Sequence, residues 1–309
     1  MTIQIWLWVG FVVFILGILA LDLGVFHRRA HQVRLKEAIT WTLIWILLAL
    51  VFGAGIWHFQ GERKAVEFYT GYLIELSLSA DNVFVFVLIL SYFAVPQQYQ
   101  HNVLFWGVLG ALLMRVIMIV IGASLIARFS WILYVFGAFL LFTGFRMLFR
   151  KGEELQPDQN PVVKWFKRHV PVTAEYHEAR FFVKLNGSRM ATPLLLVLIC
   201  IEASDLMFAV DSIPAIFGVT LDPFIVYTSN AFAILGLRSL YFVLSGIIDK
   251  FYYLRTGLGL VLAFVGVKML LIHSDYEIDT LVALGIVVGI LGVALAASFV
   301  RAWARRGRQ

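Results

Sequence analysis

Long apolar stretches separated by short charged segments run along almost the whole chain. A helix needs about 20 mostly apolar residues to cross a bilayer, and stretches of this kind recur about nine times. The pattern predicts an all-α, polytopic membrane protein with about nine transmembrane helices. The predicted spans are at about 3–26, 37–58, 66–94, 102–126, 129–149, 191–217, 222–247, 252–273 and 279–300.

Basic residues in the connections predict the orientation of these spans, because cytoplasmic loops carry an excess of Lys and Arg. Eighteen basic residues fall in connections on one side, eight of them within 150–190. Only Arg63, Lys64 and Arg128 fall on the other side. We therefore predict that the N-terminus lies outside and the C-terminus in the cytoplasm, which also requires an odd number of spans.

We interpret the chain as a single transmembrane domain, 1–309, because no polar linker divides it. Its only sizeable soluble segment is 150–190, which is predicted to be cytoplasmic. Within it, 157–161 is typical of a loop, 162–168 of a short interfacial helix, and 181–189 of a small hairpin. The segment is either a passive connector or a cytoplasmic lid.

Composition excludes several classes of protein. The chain is 61% hydrophobic and 14% charged, with a mean hydropathy of +0.88, which excludes an ordinary soluble domain. The net charge of +6 comes from connections on one side, so it indicates a lipid bilayer and not a nucleic acid as partner. The single cysteine, Cys200, excludes a disulfide within the chain. The sequence shows no glycine-rich phosphate loop, so we do not expect transport driven by ATP. We also expect no permanently bound cofactor.

Two parts of the chain, at about 66–149 and 191–273, carry similar polar residues in the same order. Each has two acids six residues apart, then a polar residue, an arginine, and a Gly-x-basic-Met-Leu run. The positions are Glu75, Asp81, Asn82, Arg115 and 144–148 in the first unit and Asp205, Asp211, Ser212, Arg238 and 266–270 in the second. Their first spans cross in opposite directions, so we predict two inverted three-helix repeats with a substrate site near the midplane, as in many secondary transporters. The spans 3–26, 37–58 and 279–300 are then peripheral.

The strongest functional signal is a set of acids inside predicted spans. One carboxylate at the bilayer centre costs ~2.5–3.5 kcal/mol, so a set of them requires a compensating cation. Acids six residues apart lie about 120° apart on a regular helix. Either the helix is broken, which Pro214 favours, or one acid of each pair binds the cation while the other meets an arginine. The acids are Glu75, Asp81, Glu202, Asp205 and Asp211.

The predicted ligands of the cation are these acids together with Asn82 and Ser212. Their hard oxygen donors suit Mn, Ca and Mg better than Zn or Cu(I). Fully ionised, the acids carry five negative charges, of which Arg115 and Arg238 balance two and a divalent cation two more. A proton can neutralise the one remaining negative charge, because crowded carboxylates raise one another's proton affinity. We therefore predict alternate occupancy by a divalent cation and protons.

The runs 72–84, 202–216 and 228–238 closely resemble the TerC family, particularly its Alx-type bacterial members, and the resemblance extends over nearly the whole chain. The resemblance implies a protein of the bacterial inner membrane within the lysine-exporter superfamily. It also implies Mn(II) export, a historical link to tellurium resistance, and a metal-site role for the seven ligands named above. The choice of Mn over Ca or Mg rests on this resemblance.

Three functions compete at this point. The favoured one is a secondary transporter that exports a divalent metal, Mn(II), in exchange for protons. An intramembrane aspartyl protease also needs two membrane aspartates, but the chain has no Gly-x-Gly-Asp sequence, so we do not expect an enzyme. The third is a non-transporting membrane sensor or assembly factor whose buried acids are structural.

Overall fold

The computed structural model describes residues 7–18, 35–149, 161–185, 188–245, 252–272, 274 and 276–306. These ranges are almost entirely helical, with a single two-stranded hairpin among them. The elements are α1 (Leu7–Ile18), α2 (Leu35–Gln60), α3 (Glu62–Tyr92), α4 (Gln97–Arg128), α5 (Ile132–Phe149), α6 (Pro161–His169), β1 (Phe182–Leu185), β2 (Ser188–Ala191), α7 (Pro193–Phe217), α8 (Pro223–Leu244), α9 (Leu254–Leu270) and α10 (Thr280–Arg306).

Among the residues that the structure describes, six helices are long and apolar enough to cross a membrane, namely α2, α3, α4, α5, α7 and α10. They confirm the predicted all-α, polytopic membrane class. The predicted spans 222–247 and 252–273 contain α8 and α9, and 3–26 contains α1, but these helices are not among the six. Helix α8 contains the strongly polar residues Asn230 and Arg238, which lower its mean hydropathy, and most of its residues are buried by protein. The count of nine crossings and the orientation stay predictions.

A central bundle of four helices contains most of the buried residues. Helices α3 and α4 each pack against both α7 and α8. In its most apolar window α3 is 50% buried, whereas α2, α5 and α10 are each only 22% buried and expose apolar side chains. Such an exposed apolar surface is expected where helices face lipid, because lipid tails are as apolar as the side chains.

The helices that carry the acid pairs are continuous. Helix α3 runs unbroken through 75–82, and α7 runs unbroken through Pro214. Pro214 removes the donor to the carbonyl of Val210, but it lies in the last turn of α7 and the helix continues through it to Phe217. The alternative with broken helices is therefore wrong for the described conformation, and the acids of each pair point in different directions.

Helices α5 and α9 cross in close antiparallel contact at four glycines. A Cβ at Gly144 would lie 2.6 Å from the carbonyl oxygen of Gly259, and a Cβ at Gly266 would lie 2.7 Å from that of Gly137. In each helix the two glycines are seven residues apart. In the predicted repeats Gly144 corresponds to Gly266, and Gly137 corresponds to Gly259. Gly144 contacts Gly259 and Gly266 contacts Gly137, so the two contacts are equivalent. Reciprocal contact of this kind is what a two-fold axis between two related units produces.

The segment between α5 and α7 folds partly as predicted. The predicted helix at 162–168 is confirmed by α6, and the predicted hairpin by β1 and β2, although its turn at 186–187 lies outside the described residues. The hydroxyl of Tyr176 donates to the carbonyl of Phe93 at 2.7 Å. The amide of Asn102 donates to the carbonyl of Ala179 at 2.8 Å. These bonds hold the segment against the turn between α3 and α4.

Candidate functional site

An arginine between two carboxylates forms the charged centre of the bundle. Arg115 of α4 is 1% exposed, and its Nη1 lies 2.5 Å from Glu75 Oε1 of α3. Its Nη2 lies 3.7 Å from Asp205 Oδ1 of α7, which is within ion-pair range but too long for a hydrogen bond. Glu75 and Asp205 are almost completely buried. The structure thus brings together one acid from each predicted repeat.

Neutral polar side chains complete this centre. Arg115 Nη1 also donates to Ser212 Oγ at 2.9 Å and to Asn230 Oδ1 of α8. The hydroxyl of Ser79 donates to Glu75 Oε1 at a long 3.4 Å. Sequence reasoning assigned no role to Asn230, although it lies in the run 228–238 that resembles the TerC family. Its signal is an amide in the middle of an apolar helix.

The buried polar atoms at this centre are poorly satisfied. No hydrogen-bond partner is present for Glu75 Oε2, Asn82 Nδ2, Arg115 Nε or either carboxylate oxygen of Asp205. Buried polar groups in native proteins are nearly always paired, with protein or with water. Ionised, the two carboxylates and one guanidinium leave one uncompensated negative charge. The centre therefore has oxygen acceptors and a charge that suit a further cation or a proton.

Glu202 lies beside this centre, one turn before Asp205 on α7. It is half-buried, and its carboxylate fits against Gly110 of α4, where a Cβ would collide with it. Gly110 is therefore required for Glu202 to enter the space between α4 and α7. Glu202 is close enough to Asp205 for the two charges to interact.

The second acid of each pair faces a different way. Asp211 is half-buried and accepts a long hydrogen bond of 3.4 Å from Thr143 of α5. Asp81 is also half-buried, and the charge that acts on it most comes from Arg255 of α9. Asp211 thus points from the central bundle toward α5, and neither acid contacts Arg115. The angular separation of acids six residues apart on a regular helix accounts for this.

The other predicted charge-balancing residue, Arg238, lies outside the group around Arg115. Its guanidinium is 5.9 Å from the ring centroid of Phe105, and it lines a small cavity with Glu37, Trp41 and His101. Within the part of the chain that the structure describes, no three Asp, Glu, His or Cys side chains lie close enough to hold a metal ion. The predicted acids therefore form one central pair with outlying members, and not a single cluster.

A third buried acid, Glu67, lies at the edge of a predicted span and was given no role in the sequence analysis. Glu67, at the predicted extracytoplasmic end of α3, is 5% exposed. Its Oε2 accepts from Thr220 Oγ1 at 2.6 Å and from Lys64 Nζ at 3.1 Å. Lys64 Nζ also lies 3.0 Å from Asp222 Oδ2 at the start of α8. This group, Lys64, Glu67, Thr220 and Asp222, ties α3 to the turn between α7 and α8.

A further buried cation lies close to that turn. Lys268, in the last turn of α9, is 8% exposed and donates to the carbonyl of Gly218 at 3.1 Å. Gly218 follows the last residue of α7, so the ammonium group sits at the negative end of that helix. The α7–α8 turn is thus held from two sides by charged residues.

Fold and site together define a polytopic helical membrane protein with a buried, incompletely balanced acidic centre. The family described as "Integral membrane protein TerC family" matches residues 60–308, and the chain belongs to this family. The match covers both predicted repeats and every residue of the centre.

Curated relatives match over almost their full length. A Myxococcus xanthus protein, "Uncharacterized membrane protein STKORF319", is 51% identical over 295 residues, which cover 96% of this chain and 92% of the relative. A Salmonella typhi protein named "Putative membrane-bound redox modulator Alx" is 49% identical over 298 residues, with 94% and 92% covered. A Rickettsia bellii membrane protein is 39% identical over 294 residues, with 95% and 97% covered. No solved structure matches the chain.

Proposed function

We propose that this protein is a secondary transporter of the bacterial inner membrane that exports a divalent metal cation, Mn(II), in exchange for protons. The observation that carries the proposal is the buried pair of acids, Glu75 and Asp205, which meet across the predicted repeats. A charged side chain inside a transmembrane bundle marks an ion pathway more often than a structural contact.

The electrostatics of the centre favour a positively charged cargo. Two ionised carboxylates outweigh the single guanidinium of Arg115, and three of the four carboxylate oxygens have no hydrogen-bond partner. An uncompensated buried charge costs several kcal/mol. A cation in contact with these oxygens, or a proton on one of them, removes that cost. This is the physical basis for alternate occupancy by metal and protons.

The donor atoms narrow the chemistry of the cargo. Carboxylates, the amide of Asn82 and the hydroxyl of Ser212 are hard oxygen donors, which suit Mn, Mg and Ca. Membership of the TerC family favours Mn(II) among these. A tellurite anion does not suit an acidic centre, so we propose that the link to tellurium resistance is indirect. No catalytic role is proposed.

The architecture supports alternating access. The reciprocal glycine contacts of α5 and α9 are those expected if the predicted repeats are inverted and related by a two-fold axis in the membrane plane. The centre lies between the first helices of the two repeats. A rocking movement of one repeat against the other would then expose Glu75 and Asp205 to one side of the membrane at a time.

Transport in proteoliposomes tests the proposal. Purified wild type, Glu75→Gln and Asp205→Asn would be reconstituted, with Mn²⁺ flux and internal pH recorded together. The matched control is Glu62→Gln, which makes the same chemical change at an exposed acid on α3. We expect wild type and control to move Mn²⁺ with an opposite proton flux, and the two core variants to lose about tenfold or more, equivalent to about 1.4 kcal/mol.

Two results would contradict the proposal in different parts. Mn²⁺ flux that persists at the wild-type rate in both core variants would exclude the centre as the cargo site. Metal flux without any accompanying proton movement would reject exchange while leaving metal transport in place.

One observation favours the second candidate, a non-transporting sensor or assembly factor. Arg115 already contacts both acids, as a structural ion pair would. In that case the wild type would move no Mn²⁺ in proteoliposomes. Charge-removing substitutions at Glu75 or Asp205 would then lower the yield of folded protein without changing metal tolerance of cells.

A further inference from the structure

We propose that the guanidinium of Arg115 competes with the cargo cation for the carboxylates of Glu75 and Asp205. In the described conformation it lies between Glu75 and Asp205, and the metal would bind only when the guanidinium moves off these acids. The inference rests on the proposed function, because it concerns access to the same site. It goes beyond charge balance, since a purely structural arginine would support metal binding and not oppose it.

The hydrogen bonds of Arg115 are not those of a permanent structural pair. Arginine binds carboxylates best through two parallel hydrogen bonds from its planar fork. Here Nη1 is shared among Glu75, Ser212 and Asn230, Nη2 is 3.7 Å from Asp205, and Nε has no partner. The guanidinium is 1% exposed and makes several contacts, but none of them is the paired, two-bond contact that binds arginine most firmly to a carboxylate.

Metal and guanidinium cannot contact Glu75 at the same time without strong repulsion. Nη1 is 2.5 Å from Glu75 Oε1, and a metal bound to this carboxylate would bring two further positive charges to within a few ångströms. Charges repel far more strongly in a buried site than in water. The two cations therefore exclude each other from the carboxylates.

Two neutral acceptors also hold the guanidinium in the described conformation. Ser212 Oγ and Asn230 Oδ1 accept from Nη1 and carry no charge. Asn230 is not a proposed metal ligand, so its amide oxygen can retain the guanidinium on the side of α8 when the carboxylates bind metal. Arg115 would thus give up its charged acceptors but keep a neutral one, and without metal the acids would keep a positive partner.

Competition of this kind lowers the affinity for metal. The apparent dissociation constant equals the intrinsic one divided by the fraction of molecules whose site is free. Removal of the guanidinium makes the site permanently free, so it should tighten binding even though it removes a residue from the centre. A structural role predicts the opposite, because loss of a structural arginine disorders the acids.

Binding of Mn²⁺ alone to the purified full chain, measured by calorimetry, tests the inference. We expect Arg115→Gln to bind Mn²⁺ about tenfold or more tightly than wild type. Arg128→Gln makes the same change at an exposed residue at the end of α4 and should bind like wild type. In proteoliposomes, Arg115→Gln should show a lower KM for Mn²⁺ with a reduced maximal rate.

The outcomes separate this inference from the proposed function. If wild type binds and transports Mn²⁺ but Arg115→Gln binds it equally or more weakly, the competitor role is wrong and the transporter stands. If Arg115→Gln binds more tightly but wild type transports nothing, the competitor role stands and the transporter fails. If neither protein binds Mn²⁺, both are wrong.

A second variant covers the case in which Arg115→Gln does not fold. Arg115→Lys keeps the positive charge, but its compact ammonium reaches less far and is more strongly hydrated, so it competes less well. We expect its dissociation constant for Mn²⁺ to fall below that of wild type. A value equal to or above that of wild type would overturn the inference.

Discussion

The glycine contact between α5 and α9 allows a sharp prediction about the relation between the two halves of the protein. Gly266→Ala would place a Cβ 2.7 Å from the Gly137 carbonyl oxygen and 2.7 Å from the Leu141 amide nitrogen. Gly144→Ala would place one 2.6 Å from the Gly259 carbonyl oxygen. In each case the obstacle is backbone, which cannot turn aside as a flexible side chain can.

The expected magnitude follows from these distances. Ordinary contact begins at 3.4 Å, so the helices must move apart by about 0.7 Å at Gly266 and slightly more at Gly144. Overpacking of a tight interior contact costs typically 1–3 kcal/mol, so we expect each variant to lose about 2 kcal/mol of stability. On the scale of soluble domains this lowers the melting temperature by about 4–8 °C.

Thermal unfolding of the purified protein in detergent measures the effect. Gly289→Ala is the matched control, because no atom lies within 4 Å of its added Cβ, and it should not lower the midpoint. If the two halves are related by two-fold symmetry, Gly144→Ala and Gly266→Ala should shift the midpoint by similar amounts. Their combination should cost less than the sum, since either change already separates the helices.

A wild-type midpoint in both single variants would mean that the close approach of α5 and α9 is not present. A large loss at one glycine and none at the other would retain the contact but exclude the two-fold relation.

Three further predictions follow from other parts of the structure. Glu67→Gln should cost about 1–3 kcal/mol of stability, because Lys64 and Thr220 lose a buried charged partner and Lys64 keeps only Asp222, and an unchanged midpoint would show that this group does not hold α3 to the α7–α8 turn. Tyr176→Phe removes the hydrogen bond to Phe93, worth about 0.5–1.5 kcal/mol, so proteolysis within 161–185 should accelerate; equal cleavage rates would show that the segment is held elsewhere. Asp211→Asn should reduce Mn²⁺ flux less than Asp205→Asn does, because Asp211 faces α5, and an equal loss would place it at the central site.

Much of the fold could be predicted from the sequence because hydropathy and helix length are direct physical constraints in a membrane. The long apolar runs predicted the membrane-spanning helices, and the alternation of apolar and basic residues at 162–168 predicted α6. The case of α8 shows the limit of this reasoning. Its polar residues are buried by other helices, so hydropathy alone understates how deeply the helix lies in the bundle.

The site was predictable in its chemistry but not in its arrangement. A spacing of six residues on a regular helix already separates Glu75 from Asp81, yet Pro214 suggested a break that its place in the last turn of α7 prevents. The contact of Arg115 with Glu75 and Asp205 depends on how α4 packs against α7 and α8. Arg115 and Arg238 occupy equivalent positions in the predicted repeats, but of the two it is Arg115 that contacts Glu75 and Asp205. Packing decides that difference, and local sequence does not encode it.

Anomalous diffraction at the manganese edge from Mn²⁺-soaked crystals tests the central claim most directly. We expect a peak within coordination distance, about 2–2.6 Å, of carboxylate oxygens of Glu75 and Asp205, with the guanidinium of Arg115 withdrawn toward Asn230. Peaks only at exposed acids, with the core unchanged, would contradict it.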